Sequence, residues 1–285
     1  LLDTTSFVLT VLPVNDEPVI ASIPDVVIDE DSILVLLLEI TDIDTGEVFT
    51  LIPSTNSSSV VVFSNNQDSS ITIIPDENWH GTANITVIVS DGELSDSEMF
   101  SITVSPANDA PIIAQAEDQI INEDTQGVFS FEVSDIDTGT TLMLSAISDT
   151  DAVSIEANSL DFSLTLTPED NWHGQSEITV FVSDGALLDT TSFLLTVDPI
   201  NDSPIISDIS DTTISENTSL HFDLVLTDVD TAEVFTIFAT SDSPYMSVSA
   251  SAEDSSIIAI PDEDWHGTAN ITVIVSDGEL SDSEM

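Results

Sequence analysis

Trp79, Trp172 and Trp265 stand 93 residues apart, and a chain that repeats at one fixed interval folds as a row of equivalent units. The same interval separates Asn15-Asp16, Asn108-Asp109 and Asn201-Asp202. It also separates Asp42, Asp135 and Asp228, then Glu30, Glu123 and Glu216, and finally Asp91, Asp184 and Asp277. Five landmarks keep step without an insertion, so the 285 residues read as a tandem array of 93-residue domains. A longer period lies over this one. Residues 75–99 match 261–285 at 24 of 25 positions but match 168–192 at only 14. Residues 1–20 match 187–206 at 15 of 20 but match 94–113 at only 10. The array therefore looks like a duplicated two-domain unit of 186 residues. Leu280–Met285 falls at the repeat position of Leu1–Ser6, from which we expect a window on a longer array.

Within one period the pattern is that of short strands. Val19–Ile28 alternates loosely, and Ile33–Ile40 is a near-continuous apolar run. Val48–Ile52, Val60–Phe63 and Ile71–Ile74 are β-branched stretches, Ile85–Val89 alternates, and Met99–Val104 closes the repeat. Seven such runs at about 8–12-residue spacing, with turns rich in Asp, Ser, Pro and Gly, predict an all-β fold of seven-stranded sandwiches. No stretch shows a 3.6-residue period with helix caps. Boundaries fall at Pro13–Pro18, Pro106–Pro111 and Pro199–Pro204, each Pro-x-Asn-Asp-x-Pro, shorter and stiffer than a Gly/Ser tether. The expected domains are 15–107, 108–200 and 201–285, the third without its last strand. Residues 1–14 read as the last strand of a truncated upstream domain.

Charge narrows what these units can bind. The chain has 54 acidic residues, no Lys, no Arg and no Cys, for a net charge of −54. Such a charge usually means disorder, but 41% hydrophobic residues and a mean hydropathy of +0.23 argue for packed cores. Without cations the chain cannot neutralise phosphate, which excludes most nucleic-acid binding and anionic membrane surfaces. Lys-based catalysis, Lys–Asn isopeptide staples, disulfides and thiolate metal sites are excluded too. No run approaches the ~20 apolar residues of a membrane span, and the first residues do not read as a signal peptide.

Acidic motifs recur in every period: Glu30-Asp31, Asp42-x-Asp44-x-Gly46, Asp76-Glu77 before Trp79, Asp91 in Ser-Asp-Gly, and Asn108-Asp109 in the linker. In an extended segment Asp-x-Asp puts both carboxylates on one side, where they repel unless they share an ion. Hard divalent ions such as Ca²⁺ take about 6–8 oxygens, mostly carboxylate and carbonyl. Isolated acidic turn residues merely cap loops. Five motifs in step, with no base to pair with, point to metal.

These residues resemble the cadherin-like, Ig-like tandem repeats of large bacterial surface proteins, including biofilm-associated and RTX-type adhesins. The resemblance rests on Val-Asn-Asp-Glu-Pro (14–18), Ala-Asn-Asp-Ala-Pro (107–111), Asp-Ile-Asp-Thr-Gly (42–46) and Asn-Trp-His-Gly…Val-Ser-Asp-Gly (78–92), and covers essentially the whole chain. It implies Ca²⁺ at the junctions between consecutive domains. At the 106–111 junction it implies Glu30, Asp76 and Glu77 from the preceding domain, Asn108 and Asp109 from the linker, and Asp135, Asp137 and Asp184 from the following domain. At 199–204 the implied set is Glu123, Glu169, Asp170, Asn201, Asp202, Asp228, Asp230 and Asp277. The 13–18 junction keeps Asn15, Asp16, Asp42, Asp44 and Asp91. Three features depart from the family pattern. Pro13, Pro106 and Pro199 replace the linker Asp, which lowers the expected ion count below three. Gly46 becomes Ala232 in the third repeat, and Asp76-Glu77 is inverted as Glu169-Asp170.

A single His per Trp-His-Gly motif lacks the clustered ligands that Zn²⁺ needs, so Trp is expected to fill the core and Gly to make the turn. His221 fits no repeat and reads as a surface strand residue. Asn84-Ile-Thr and Asn270-Ile-Thr match a glycosylation acceptor but read here as strand composition. No catalytic constellation is visible, so no enzyme is expected. The expected function is a Ca²⁺-rigidified extender or stalk of an exported bacterial adhesin or extracellular fibre, at the cell surface. Two alternatives stand beside it: a filament subunit joined to identical chains by strands or calcium, and a carbohydrate- or protein-binding module. The expected partners are neighbouring repeats of the same chain and, in a fibre, identical chains, with no nucleic acid and no membrane insertion.

Overall fold

The computed structural model describes residues 4–44, 46, 48–230 and 234–285; Ala232 lies outside them. The chain forms two compact units, Leu1–Pro111 with Ser134–Thr141, and Ile112–Val133 with Leu142–Met285. Residues 4–18 form no strand.

In the first unit the strands are β1 (Val19–Ile20), β2 (Val26–Asp29), β3 (Leu34–Leu37), β4 (Ile40–Thr41) and β5 (Thr50–Thr55). They continue as β6 (Val60–Asn65), β7 (Ser70–Pro75), β8 (Gly81–Ser90) and β9 (Ser95–Ser105). One sheet has the order β2-β9-β8-β5, the other β3-β7-β6, and β1 pairs with β4. Nine segments thus make up the seven expected runs, because two runs change partner midway. Pro24, which has no amide to donate, interrupts the first run. Before it β1 pairs antiparallel with β4, and after it β2 pairs parallel with β9. The second run passes from β7 to β1: the Leu38 amide donates to the Ser69 carbonyl (2.8 Å), and the Ala21 amide donates to that of Glu39 (2.9 Å). Its alternation survives the handover, with Leu34, Leu36, Leu38 and Ile40 turned inward.

The core between the sheets is aliphatic: Ile71, Ile73, Ile85, Val87, Val89 and Ile102 are fully buried. Trp79 is partly buried and packs on the margin of this core, not at its centre as expected. Its ring lies against Gly81, where a Cβ would stand 2.9 Å from Trp79 Cζ2 and the backbone has φ +154°; a side chain there would have to displace the indole.

The second unit holds two further cores, one from Ile113 to Val197 and one from Ile206 to Val275. The first is enclosed by the sheet of Gln119–Asn122, Leu188–Asp198, Gly174–Ser183 and Met143–Ser148, and by that of Gly127–Ser130, Ser163–Pro168 and Val153–Asn158. The other lies between Thr236–Ser241, Ile271–Ser276 and Ser281–Glu284 on one side and Leu220–Asp223, Ser256–Pro261 and Met246–Ser251 on the other. His221 is an exposed strand residue, as expected.

With no Lys or Arg to pair with, many carboxylates bind backbone amides. Asp96 accepts from the Ile20 amide, Asp189 from Ile113 and Asp282 from Ile206, each at 3.0 Å. Each contact fastens the first strand of a repeat to the last.

Candidate metal centre

The Asp-x-Asp loop has one geometry in all three repeats. Oδ1 of the first Asp accepts the amide of the second, Asp42 from Asp44 at 2.9 Å, Asp135 from Asp137 at 2.8 Å and Asp228 from Asp230 at 3.0 Å. This side-chain turn fixes the loop locally. Oδ2 of the second Asp then accepts the amide of the linker Asp: Asp44 from Asp16 (2.8 Å), Asp137 from Asp109 (2.8 Å) and Asp230 from Asp202 (2.7 Å). One oxygen is left over each time. Oδ2 of Asp42, Asp135 and Asp228 is buried without a hydrogen-bond partner, and so is Oδ2 of Asp202. An unsatisfied buried polar atom costs about 1–3 kcal/mol, more when charged, and the same residue carries that cost in all three repeats.

The parallel pairing of β2 with β9 brings in the next carboxylate. Glu30 follows β2, and its amide donates to the Ser105 carbonyl at the end of β9 (2.9 Å). Its carboxylate is buried where the linker begins: Oε1 accepts the Ala107 amide (2.7 Å) and Oε2 stands 3.5 Å from His80 Nδ1. Glu123 repeats this with the Ile200 amide (2.6 Å) and His173 Nδ1 (3.4 Å). Carboxylate oxygens of Glu30, Asp109 and Asp137 lie within 4.8 Å of one another. No Lys or Arg side chain exists in the chain to balance them.

The electrostatics follow. Burial, then the charges of Asp31, Asp137, Glu30 and Asp135, raise the Asp109 carboxyl above the ordinary range. Burial, then Asp124, Asp230, Glu123 and Asp228, do the same to Asp202. Asp91 and Asp277 move the other way. The amides of Glu93 and Leu94, then Asn15 Nδ2 (2.9 Å), stabilise ionised Asp91. Asn201 Nδ2 (2.9 Å), then the amides of Glu279 and Leu280, stabilise ionised Asp277. In metal-free protein, therefore, ionised Asp109 and Asp202 subtract stability at neutral pH. That loss is relieved as the pH falls through their raised values, whereas the contribution of Asp91 and Asp277 disappears only at lower pH, through their depressed values. Any divalent cation held by these carboxylates is expected to bind more weakly on acidification, as Asp109 and Asp202 protonate ahead of ordinary aspartates, measurable by calorimetry between pH 7 and pH 4.

The remaining expected ligands divide. Asn108 and Asn201 donate from Nδ2 to the carbonyls of Asp109 (3.0 Å) and Asp202 (2.9 Å), bracing the linker. Asp184 Oδ1 accepts the amides of Ala186 (2.6 Å) and Leu187 (2.7 Å). Asp76, Glu77, Glu169 and Asp170 are exposed and stand outside the three-carboxylate group, while the carbonyls of Asp76 and Glu169 close the turn onto Trp79 and Trp172. At 13–18, Asp16 is exposed and Asp42 and Asp44 are half-buried.

Two residues left out of the expected ligand sets matter, although Asp31 belongs to the Glu30-Asp31 motif. Asp31 and Asp124 add charge next to Asp109 and Asp202 and hold the amides of Asn78 (2.9 Å) and Asn171 (2.8 Å). Both adopt left-handed backbone, φ 59° and 58°, as does Asn217 (65°) at the same place in the third repeat. The recurring Asp or Asn after the glutamate was the available signal.

Fold and site together define a tandem of Ig-like β-sandwiches whose linkers run through carboxylate-lined turns. The chain belongs to the cadherin-like domain family, whose model matches residues 14–105 and 107–198; a bacterial Ig domain model matches 201–284. Such repeats are structural or adhesion modules. No curated protein matches the chain. Among solved structures, the chain is similar to PcdhgB3 EC1-4, at 13% identity and a TM-score of 0.47, over 92% of this chain and 72% of that one. It is also similar to human protocadherin-24 EC1-2, at 16% identity and 0.42, over 65% and 99%. A three-Ig structure of titin matches at 12% identity and 0.35, over 93% and 95%.

Proposed function

We propose that these repeats are a calcium-stiffened, non-enzymatic extender of an exported bacterial adhesin or extracellular fibre. The observation that carries this reading is the partnerless buried carboxylate oxygen on Asp42, Asp135 and Asp228, in a chain without cations. The donors are all oxygens, which suits a hard divalent ion. Glu30, Asp109, Asp135 and Asp137 would hold one at the 106–111 linker, and Glu123, Asp202, Asp228 and Asp230 another at 199–204. Bound calcium would offset the repulsion among these groups and lock each linker onto the loop that follows it. Metal held at both linkers, in repeats of one length and fold, would make a spacer that presents something else at a distance.

The test is hydrogen exchange with and without calcium. On chelation the amides of Asp109, Asp137, Asp202 and Asp230 are expected to lose at least ~10-fold protection, while Ile73, Leu166 and Ile257 in the cores keep theirs. Unchanged linker protection would end the calcium reading.

A further inference from the structure

The outer face of the β3-β7-β6 sheet in the first repeat differs from its counterparts. The register sets Val35, Thr72 and Phe63 in one row across the three strands and Val61 beside Ile74 in the next. Ile33, Val35, Leu37 and Phe63 are 64, 58, 75 and 56% exposed, and Val61 is 43% exposed. None of the three strands contains an acidic residue, and residues 48–67 contain none either, in a chain where 54 of 285 residues are acidic. Repeats one and three are almost identical over 75–99 and 261–285, yet on this face five large apolar positions differ, while Ile74 is kept as Ile260 and Thr72 becomes Ile258. Ile33, Val35, Leu37, Val61 and Phe63 correspond to Ser219, His221, Asp223, Ser247 and Ser249. In the second repeat Leu37, Val61 and Phe63 are replaced by Ser130, Ser154 and Glu156. The apolar face is thus most extensive in the first repeat, and the fold does not require it, since Val128, Ile258 and Ile260 are what the other two repeats expose there.

We infer that this face is a self-association surface, on which the first repeat of a second copy of this chain packs sheet to sheet. Two arguments select that occupant. The first is area. Five large side chains at these exposures present on the order of 500 Å² of apolar surface. A standard interface takes ~800 Å² from each partner, about 65% of it apolar in homodimers, which requires nearly the same amount. The second is charge. The chain carries 54 acidic residues and no Lys or Arg, so two copies repel over most approaches and least at a sheet face that carries no charge. A twofold contact puts like on like, and here both sides are neutral and apolar.

The experiment is sedimentation velocity on the whole chain in a calcium chelator, from 1 to 500 µM, at 50 and 500 mM NaCl. A monomer–dimer equilibrium that tightens with salt is expected, because salt screens repulsion between anionic copies joined by an apolar contact. Leu37→Asp with Phe63→Ser, the residues the third repeat carries at these places, is expected to weaken the dimer by at least ~100-fold. Phe63→Ser alone is expected to weaken it about 10-fold. Val128→Ser, at the place of Val35 in the second repeat, leaves it unchanged. Circular dichroism and melting check that each variant is folded. A chain that stays monomeric throughout, or whose double variant dimerises as tightly as the parent, overturns the inference. None of these outcomes bears on calcium at the linkers, which is absent from the experiment.

Discussion

Asp137→Asn is expected to lower calcium affinity at the 106–111 linker by about 100-fold, the scale of losing one charged partner, ~3 kcal/mol. The substitution spares the local turn. An asparagine oxygen can still accept the Asp109 amide that Asp137 Oδ2 now takes at 2.8 Å, and the Asp137 amide can still reach Asp135 Oδ1. What disappears is one of three carboxylates within 4.8 Å of one another. Asp44→Asn makes the same change at 13–18, where the loop geometry is alike but the group with a buried glutamate is absent among the described residues. There the expected loss is less than about threefold. Calorimetry on the two variants decides the matter. Equal losses would place the ions away from the Glu30 group, and no loss in either would remove calcium from these loops.

Ile73→Ala is expected to have the largest effect on stability. Ile73 is fully buried on the central strand of its sheet, paired with Leu34 on one side and Val62 on the other. Removing it costs about 2–5 kcal/mol in lost burial and cavity, against a whole-domain stability of about 5–15 kcal/mol. The three cores share no residue, so the loss should stay within the first repeat. Calorimetric melting should show one part of the unfolding moved down by at least ~10 °C while the rest stays in place. A uniform shift of the entire transition would mean that the repeats unfold as one body.

Much of this was legible because the period did the work of an alignment. Ile85, Val87 and Val89 were readable as one inward face, and the buried Glu30 and Glu123 were readable as partners of the linker. What escaped depends on pairing at a distance. Nothing in Val19–Ile28 says that its halves join different sheets; that is set by which strand lies opposite once Pro24 has broken the run. The margin position of Trp79 likewise depends on Gly81 leaving room for the ring. Asp31 matters through left-handed backbone, which composition does not reveal. The apolar face was hidden for a different reason. Val35, Leu37, Val61 and Phe63 look like core residues in any strand pattern, and only the register shows them turned outward.

The parallel pairing of β2 with β9 has a mechanical consequence. The chain enters the first repeat ahead of β2 and leaves it through the end of β9, and these strands are joined from Val26–Ile102 to Asp29–Ser105. Gln119–Asn122 and Leu195–Asp198 repeat the arrangement in the second. In a parallel pair the point of entrance and the point of exit are at opposite ends of the joined segment. Tension along the polypeptide therefore drags the two strands lengthwise past each other and loads every rung of the ladder at once. An antiparallel pair pulled from one end would instead open like a zip, one rung at a time. The first two repeats are thus built to bear a pull along their own backbone, and the buried Glu30 and Glu123 that close the two ladders sit at the rung where that pull arrives.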